Sequence, residues 1–383
     1  MGRKPPPVTR GPSFHPSILF SPEDPRTRQQ FARKYFRNGE ILNLFELTRA
    51  LVDIESVTNN EEAVASFLLR LLSDLTARSG GIVERCPVEA NRFNVLAHWG
   101  IPFVTLSTHM DTVPPFFASR EDPEFIWGRG SADAKGVIAS MIVAAEKLLA
   151  EGARNFGLLF VVGEERNSSG ALAAARDPRG SRFLINGEPT DNKLVLAAKG
   201  ILRYEIEATG RLAHSAYPEL GESAIDKLLD ALHEIRKIPL SQDEFMGRTT
   251  LNIGIISGGR APNVIADSAR AEISFRTVDD ANTLRPAVTR AVAGRAAAKE
   301  AFSVSPMRFT RFDGLESTVV SYTTDVPAFA NAWGQPFLIG PGSIHVAHTL
   351  EERVPKKELL EATEIYKKMV TQLLTRAAEA ARP

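Results

Sequence analysis

Cysteine, net charge and long apolar runs are scarce or absent in this chain of 383 residues. The single cysteine, Cys86, cannot form an intrachain disulfide, and it excludes a Cys-ligated zinc finger or iron–sulfur cluster. Lys+Arg and Asp+Glu both number 46, so the formal charge is zero. That balance argues against a nucleic-acid or polyanion binder, which needs a basic field. No window approaches the roughly 18 uninterrupted apolar residues of a membrane-spanning helix. The basic residues between Met1 and Pro12 lead into no apolar stretch, which makes a poor signal peptide and leaves a cytoplasmic protein as the expectation. What is present is ordinary: 43% hydrophobic and 24% charged residues, the proportions of a globular protein. At about 150 residues per domain the length predicts two to three domains. A core of that size folds without disulfide or metal staples.

Charge is unevenly spread. Residues 1–38 carry Arg3, Lys4, Arg10, Arg26, Arg28, Arg33, Lys34 and Arg37 against Glu23 and Asp24, a net of +6. With Pro5, Pro6, Pro7, Pro12 and Pro16, this start reads as a poorly ordered, basic extension without an assigned role. From Glu40 apolar spacing predicts helices over 41–54 and 61–75, the second capped near Asn59 and Asn60. Strand-like runs follow at 82–88, 93–97, 103–107, 157–162 and 183–185, with helices starting near Lys135 and Ser169. Strands alternating with helices indicate an α/β domain with a mostly parallel sheet. After Asn192 the style changes: strand 194–208, helix 220–235, strands 250–256 and 269–276 around Gly258-Gly259, helix 281–298, strand 302–311. That β-α-β-β-α-β order is the pattern of a ferredoxin-like unit. The α/β style returns with an apolar segment over 326–333, a strand at 336–339 and a last helix from Lys356. The division predicted is a catalytic domain from 39–194 and 312–383, with an inserted domain over 195–311.

Acidic residues and histidines recur where strands end, which in open α/β sheets is where ligands bind. His109 and Asp111 follow strand 103–107; one imidazole can bind a metal while a carboxylate two residues on orients the ring. A surface histidine is the plainer reading of that pair alone. The glycine-framed loop 128–136 lacks the order of a phosphate-binding P-loop and offers Asp133, which would otherwise be a helix cap. Glu164 and Glu165 end strand 157–162, where adjacent carboxylates repel unless a cation compensates. Metal chemistry uses such a pair asymmetrically, one as ligand and one as proton acceptor. Glu188 follows strand 183–185, and His345 and His348 follow the last strand, where one ligand suffices. The set His109, Asp133, Glu165, Glu188 and His348 is oxygen and nitrogen without thiolate, which suits zinc, or cobalt or manganese in its place. Five ligands exceed one tetrahedral ion and fit two ions about 3.5 Å apart sharing a carboxylate.

In these residues the chain resembles the co-catalytic zinc amidohydrolases and metallopeptidases, the family of acetylornithine deacetylase, succinyl-diaminopimelate desuccinylase, aminoacylase and glutamate carboxypeptidase. The resemblance runs from about 40 to 375 through STHMDTVP, GRGSADAKG, VVGEERNSSG, NGEPT, RLAHSAYPELGESAID, APNVIAD and GPGSIHVAHTLEE. It implies a zinc-peptidase-like catalytic domain with an inserted lid and dimerisation domain. It implies two zinc ions, His109 and Glu188 on one, Glu165 and His348 on the other, with Asp133 bridging across a cis Asp133–Ala134 peptide. Asp111 would hold His109, and Glu164 would be the general base that takes the proton of the attacking water. His214 would stabilise the oxyanion from the partner of a lid-to-lid homodimer. Asn263 and Arg276 would hold a substrate carboxylate; a turn residue and a surface charge are their plainer readings. Glutamate at 188 resembles carboxypeptidases and acyl-amino-acid hydrolases, where aspartate would resemble tripeptide aminopeptidases.

The activity expected is zinc-dependent hydrolysis of the amide bond of an N-acyl amino acid, acetylornithine deacetylase-like or succinyl-diaminopimelate desuccinylase-like. A dipeptidase, carboxypeptidase or aminoacylase is the alternative within the same chemistry. A non-catalytic carboxylate-binding homologue would not need both Glu164 and five ligands. A serine hydrolase finds no G-x-S-x-G elbow. No nucleic-acid or membrane partner is expected.

Overall fold

The computed structural model describes residues 36–37, 40–41 and 43–379. The basic extension expected over 1–38 lies outside the described residues except for Phe36–Arg37, which pairs antiparallel with Glu40–Ile41. In chain order the principal elements of 43–379 are helices α1 (Leu44–Val52) and α2 (Glu62–Ser79), then strands β1 (Ile82–Glu89), β2 (Arg92–Trp99) and β3 (Val104–His109). Helix α3 (Gly136–Ala150), β4 (Phe156–Val161), α4 (Ser169–Ala174) and β5 (Phe183–Asn186) follow. Next come β6 (Gly200–Thr209), α5 (Ala224–Arg236), β7 (Thr250–Gly258), β8 (Ser268–Thr277), α6 (Leu284–Val292) and β9 (Ala297–Val304). The chain closes with β10 (Gln335–Leu338) and α7 (Lys356–Glu379).

Helix α1 starts at Asn43, whose side chain accepts the Phe45 N–H at 2.9 Å. Helix α2 departs from expectation. Asn59 is left-handed, with φ 79°, and the N-cap is Glu61, which makes no side-chain cap bond. The Glu61 carboxylate instead accepts a two-pronged bond from Arg92, at 2.6 and 2.9 Å, both residues being buried. A buried guanidinium competes for that carboxylate more strongly than the helix N–H groups can.

Six strands form the larger sheet in the order β10-β5-β3-β4-β2-β1. The pairs β10/β5, β5/β3 and β3/β4 are parallel, and β4/β2 and β2/β1 antiparallel. Strands β3 and β4 are buried along their whole length, as befits central strands covered on both faces. Helices α3 and α7 cover one face, close enough that a Cβ at Gly187 would strike Val137 and Met141. On the other face α4, Phe329 and Trp333 pack on Leu96, Leu159 and Leu184.

The second sheet has the order β7-β8-β6-β9, antiparallel throughout, with α5 and α6 packed on it: the ferredoxin-like arrangement. Three local expectations are corrected. The strand expected over 194–208 is two strands broken at Lys199: Leu194–Ala198, buried throughout, pairs with Ser317–Val320 and Met307–Arg308, and only β6 joins the second sheet. The helix expected to reach 298 ends at Val292, because Gly294 turns left-handed, and the alanines after it enter β9. Gly258-Gly259 does not close a tight hairpin; the connection contains Val264–Ile265, which pairs with Ala213–His214.

Candidate metal centre

The carboxyl ends of the parallel strands converge on one cavity of about 480 Å³. His109 is the last residue of β3, Glu164 and Glu165 follow β4, and Glu188 follows β5. His348 lies in the loop after β10, with φ 63°. Asp133 sits in a distorted turn, Ser131–Lys135, ahead of α3, and the Asp133–Ala134 peptide is cis.

Two donor groups result, His109, Asp133 and Glu188, and Asp133, Glu165 and His348, each with its ligand atoms within 4.8 Å of one another. Asp133 belongs to both. Its Oδ1 lies 2.9 Å from His109 Nε2, and its Oδ2 lies 3.3 Å from His348 Nε2. His348 Nε2 also lies 2.9 Å from Glu165 Oε2. His109, Asp133 and Glu188 are buried, and Glu188 Oε1 has no hydrogen-bond partner among the described residues.

The electrostatics are those of too much negative charge in one place. Burial pushes the Glu164 carboxyl well above its ordinary range, and Glu188, Asp325 and Glu165 push it further. Burial and neighbouring carboxylates likewise raise Glu165 and Glu188. His348 is pushed up to about 10 by Asp133 and Glu165. Cations bound among such groups would offset repulsion that the two imidazoles leave uncompensated. An orphaned buried carboxylate oxygen and a donor set of carboxylate and imidazole fit that assignment.

Asp111 is arranged differently from the simple expectation. The His109 Nδ1 bond goes to the Asp111 backbone carbonyl at 3.0 Å, while the carboxylate is 3.5 Å away. The carboxylate accepts backbone N–H groups of Gly163, Glu164 and Glu165 at 3.0, 3.1 and 3.2 Å, and the Thr58 hydroxyl at 2.8 Å. It therefore grips the strand end that carries both glutamates.

Of the remaining expected residues, Arg276 on β8 lines the cavity, with a buried Nη1 that has no hydrogen-bond partner among the described residues. His214 and Asn263 are exposed neighbours joined by the Ser215 N–H to Asn263 carbonyl bond, and neither lines the cavity. Sequence reasoning missed Asp325, buried beside the acid cluster and pushed up to about 7 by that burial. It missed Tyr322, a cavity wall whose hydroxyl donates to the Pro189 carbonyl at 3.0 Å. It also missed Thr58, Arg129 and Glu352. Their partners are mostly backbone groups, so only the doubled glutamate at 351–352, echoing 164–165, offered a signal.

Known proteins resemble this chain in sequence and in fold. Residues 196–300 match the peptidase dimerisation domain. A "Peptidase M20 domain-containing protein" of Schizosaccharomyces pombe is 36% identical over 340 residues, covering 86% of this chain and 84% of that protein. A "Probable carboxypeptidase" of Aspergillus flavus is 35% identical over 416 residues, covering 95% and 96%. Aminopeptidase PepT of Bacillus cereus shares the fold, with a TM-score of 0.70 at 22% identity over 86% of this chain and 98% of that one. The chain belongs to the M20 peptidase family and is a metal-dependent peptidase or amidohydrolase.

Proposed function

We propose that the protein is a two-zinc hydrolase that removes the C-terminal residue of short peptides, a carboxypeptidase or dipeptidase. The observation that carries this reading is a pair of donor groups sharing Asp133, with the guanidinium of Arg276 lining the same cavity and its buried Nη1 without a hydrogen-bond partner among the described residues. His109 and Glu188 would hold one ion, Glu165 and His348 the other, and Asp133 both. Zinc suits the donors, with cobalt or manganese as substitutes. Bound there, the ions supply positive charge that polarises the amide carbonyl and makes water more acidic. Glu164 takes a proton from the attacking water as the new C–O bond forms, then delivers it to the amine nitrogen as the C–N bond breaks. Arg276 holds the free carboxylate of the departing residue. The carboxypeptidase description of the Aspergillus relative favours a peptide over an N-acyl amino acid. An acetylated or succinylated amino acid offers the same bond and the same carboxylate, so the substrates must be compared directly.

The reading extends to a division of labour, with 39–194 and 312–383 carrying the chemistry and 195–311 forming a lid and dimerisation module. Exposed Ile255 and Ile256 on edge strand β7, and Ile225 and Leu229 on α5, support a homodimer through this module. His214, which does not line its own chain's cavity, would then serve the partner's.

The test is a hydrolysis screen of zinc-loaded protein on dipeptides, their C-terminal amides, and N-acetyl and N-succinyl amino acids. Free-acid dipeptides should be cleaved, their amides poorly, and chelator should stop both. Faster turnover of acetyl or succinyl substrates would replace the peptidase reading. Arg276→Ala should raise KM for the free acid and leave the amide unaffected.

A further inference from the structure

Four residues beyond His348, Glu352 is almost completely buried, and its carboxylate is fully used. Oε1 accepts three backbone N–H groups, from Gly130 at 2.9 Å, Ala132 at 3.3 Å and Asp133 at 3.2 Å. Oε2 accepts from Arg129 Nη1 at 2.5 Å. Arg129, equally buried, donates through Nε to the Pro115 carbonyl at 3.2 Å and stacks over Phe117. The Gly128 N–H is bonded to the Glu352 carbonyl at 3.1 Å. One carboxylate thus ties together the loop after β3, the turn bearing Asp133 and the loop bearing His348.

We propose that Glu352 is a positioning residue for the metal centre, fixing Asp133 so that its two oxygens face the two imidazoles. The inference rests on the two-ion reading above. Ser131–Lys135 is an irregular turn, non-helical at Asp133 and Ala134; its ends are held by the Ser131 N–H to Gly128 carbonyl bond at 3.0 Å and the Lys135 N–H to Gly130 carbonyl bond at 2.7 Å, and Glu352 bonds the Ala132 and Asp133 N–H groups between them. Three N–H groups converging on one anion define the direction in which the peptide planes lie, and so the direction of the Asp133 side chain. A simple stabilising ion pair would need Arg129 and the Glu352 carboxylate alone. The three N–H bonds are what address the ligand.

The experiment is zinc titration, followed by calorimetry, of the full chain stripped with chelator, with circular dichroism to confirm folding. Glu352→Gln puts an amide NH₂ against either Arg129 or the N–H groups. It should weaken zinc binding by about 10–100-fold, the usual effect of losing a group that orients a ligand. Arg129→Met combined with Glu352→Gln removes the competing cation, so the glutamine oxygen can face the three N–H groups, and most of the affinity should return. Should Glu352→Gln fail to fold, the double variant is compared with Arg129→Met plus Glu352→Leu, which has no acceptor and should bind weakly. Wild-type affinity in Glu352→Gln overturns the proposal. So does equal weakness in the two double variants, since then the acceptor does not matter. Asp133→Asn tests the underlying reading by itself. If it binds two ions as wild type does, the shared-ligand reading fails; if it loses them while Glu352→Gln does not, only the positioning role fails.

Discussion

Replacing Asp111 by asparagine should destabilise the metal-free protein by about 2–4 kcal/mol, a figure built from hydrogen bonds to backbone rather than from contact with His109. The native carboxylate accepts Gly163 and Glu164 N–H on Oδ1, and Glu165 N–H and the Thr58 hydroxyl on Oδ2. Asparagine has one oxygen, best spent on Gly163 and Glu164. Its NH₂ then faces the other pair. Thr58 can rotate its hydroxyl to accept, but the Glu165 N–H cannot, and a buried orphan of that kind costs about 1–3 kcal/mol. Losing the charge on the two surviving bonds removes roughly another 1 kcal/mol, because bonds to ions are stronger than neutral ones. Urea unfolding of chelator-treated protein reads the sum directly. Were Asp111 needed only to orient His109, the variant would cost little, since the ring bonds to the unchanged Asp111 backbone carbonyl. A stability change below about 0.5 kcal/mol, the scale of an inconsequential substitution, would refute the account.

The two adjacent glutamates should separate by function: Glu164→Gln keeps its zinc and loses about 10²–10⁴-fold in turnover, whereas Glu165→Ala loses zinc by metal analysis. The reverse pattern would exchange their roles. Glu61→Ala leaves the buried Arg92 with only Glu89, 2.8 Å from its Nη1, and should cost about 3 kcal/mol in urea unfolding, the low end for a broken buried pair, most of it recovered by removing both charges together as Glu61→Leu with Arg92→Met. His214→Ala and Glu164→Ala should each be inactive, yet mixed under conditions of subunit exchange they should regain roughly a quarter of wild-type activity, because half the dimers are mixed and one site in each is whole. Recovery absent despite proven exchange would place His214 in its own chain's chemistry or outside it.

The fold was readable where a residue's own character decides its environment. The hydrophobic runs of β3 and β4 announce central strands, and both are buried throughout. The runs after Asn192 announce a ferredoxin-like unit, and its β-α-β-β-α-β order survives as β6, α5, β7, β8, α6 and β9. Reading failed where two physical demands compete for one residue. Glu61 has the position of a helix cap, yet Arg92, 31 residues away, claims its carboxylate. The alanines at 296–298 suit a helix by propensity, yet pairing with β6 draws Ala297 and Ala298 into a strand. Neither outcome is encoded within the local segment.

The same distinction runs through the site. His109, Asp133, Glu165, Glu188 and His348, which the fold gathers into two donor groups, were legible because imidazoles and carboxylates at strand ends and in the loops beside them are visible letters in the sequence. The residues that orient them act on backbone N–H groups, which every residue but proline possesses. Asp111 grips Gly163, Glu164 and Glu165, and Glu352 grips Gly130, Ala132 and Asp133, across separations of 52 to 54 and 219 to 222 residues. No letter among those partners marks the contact, so pattern showed Asp111 only beside the ring two residues away, where its carboxylate does lie 3.5 Å from His109 Nδ1, and left Glu352 unassigned. A carboxylate buried without a side-chain reason is therefore the observation to seek in such sites. Asp325 is likewise buried beside Glu164, and there the Ser168 side chain, rather than a set of backbone donors, favours the charged carboxylate.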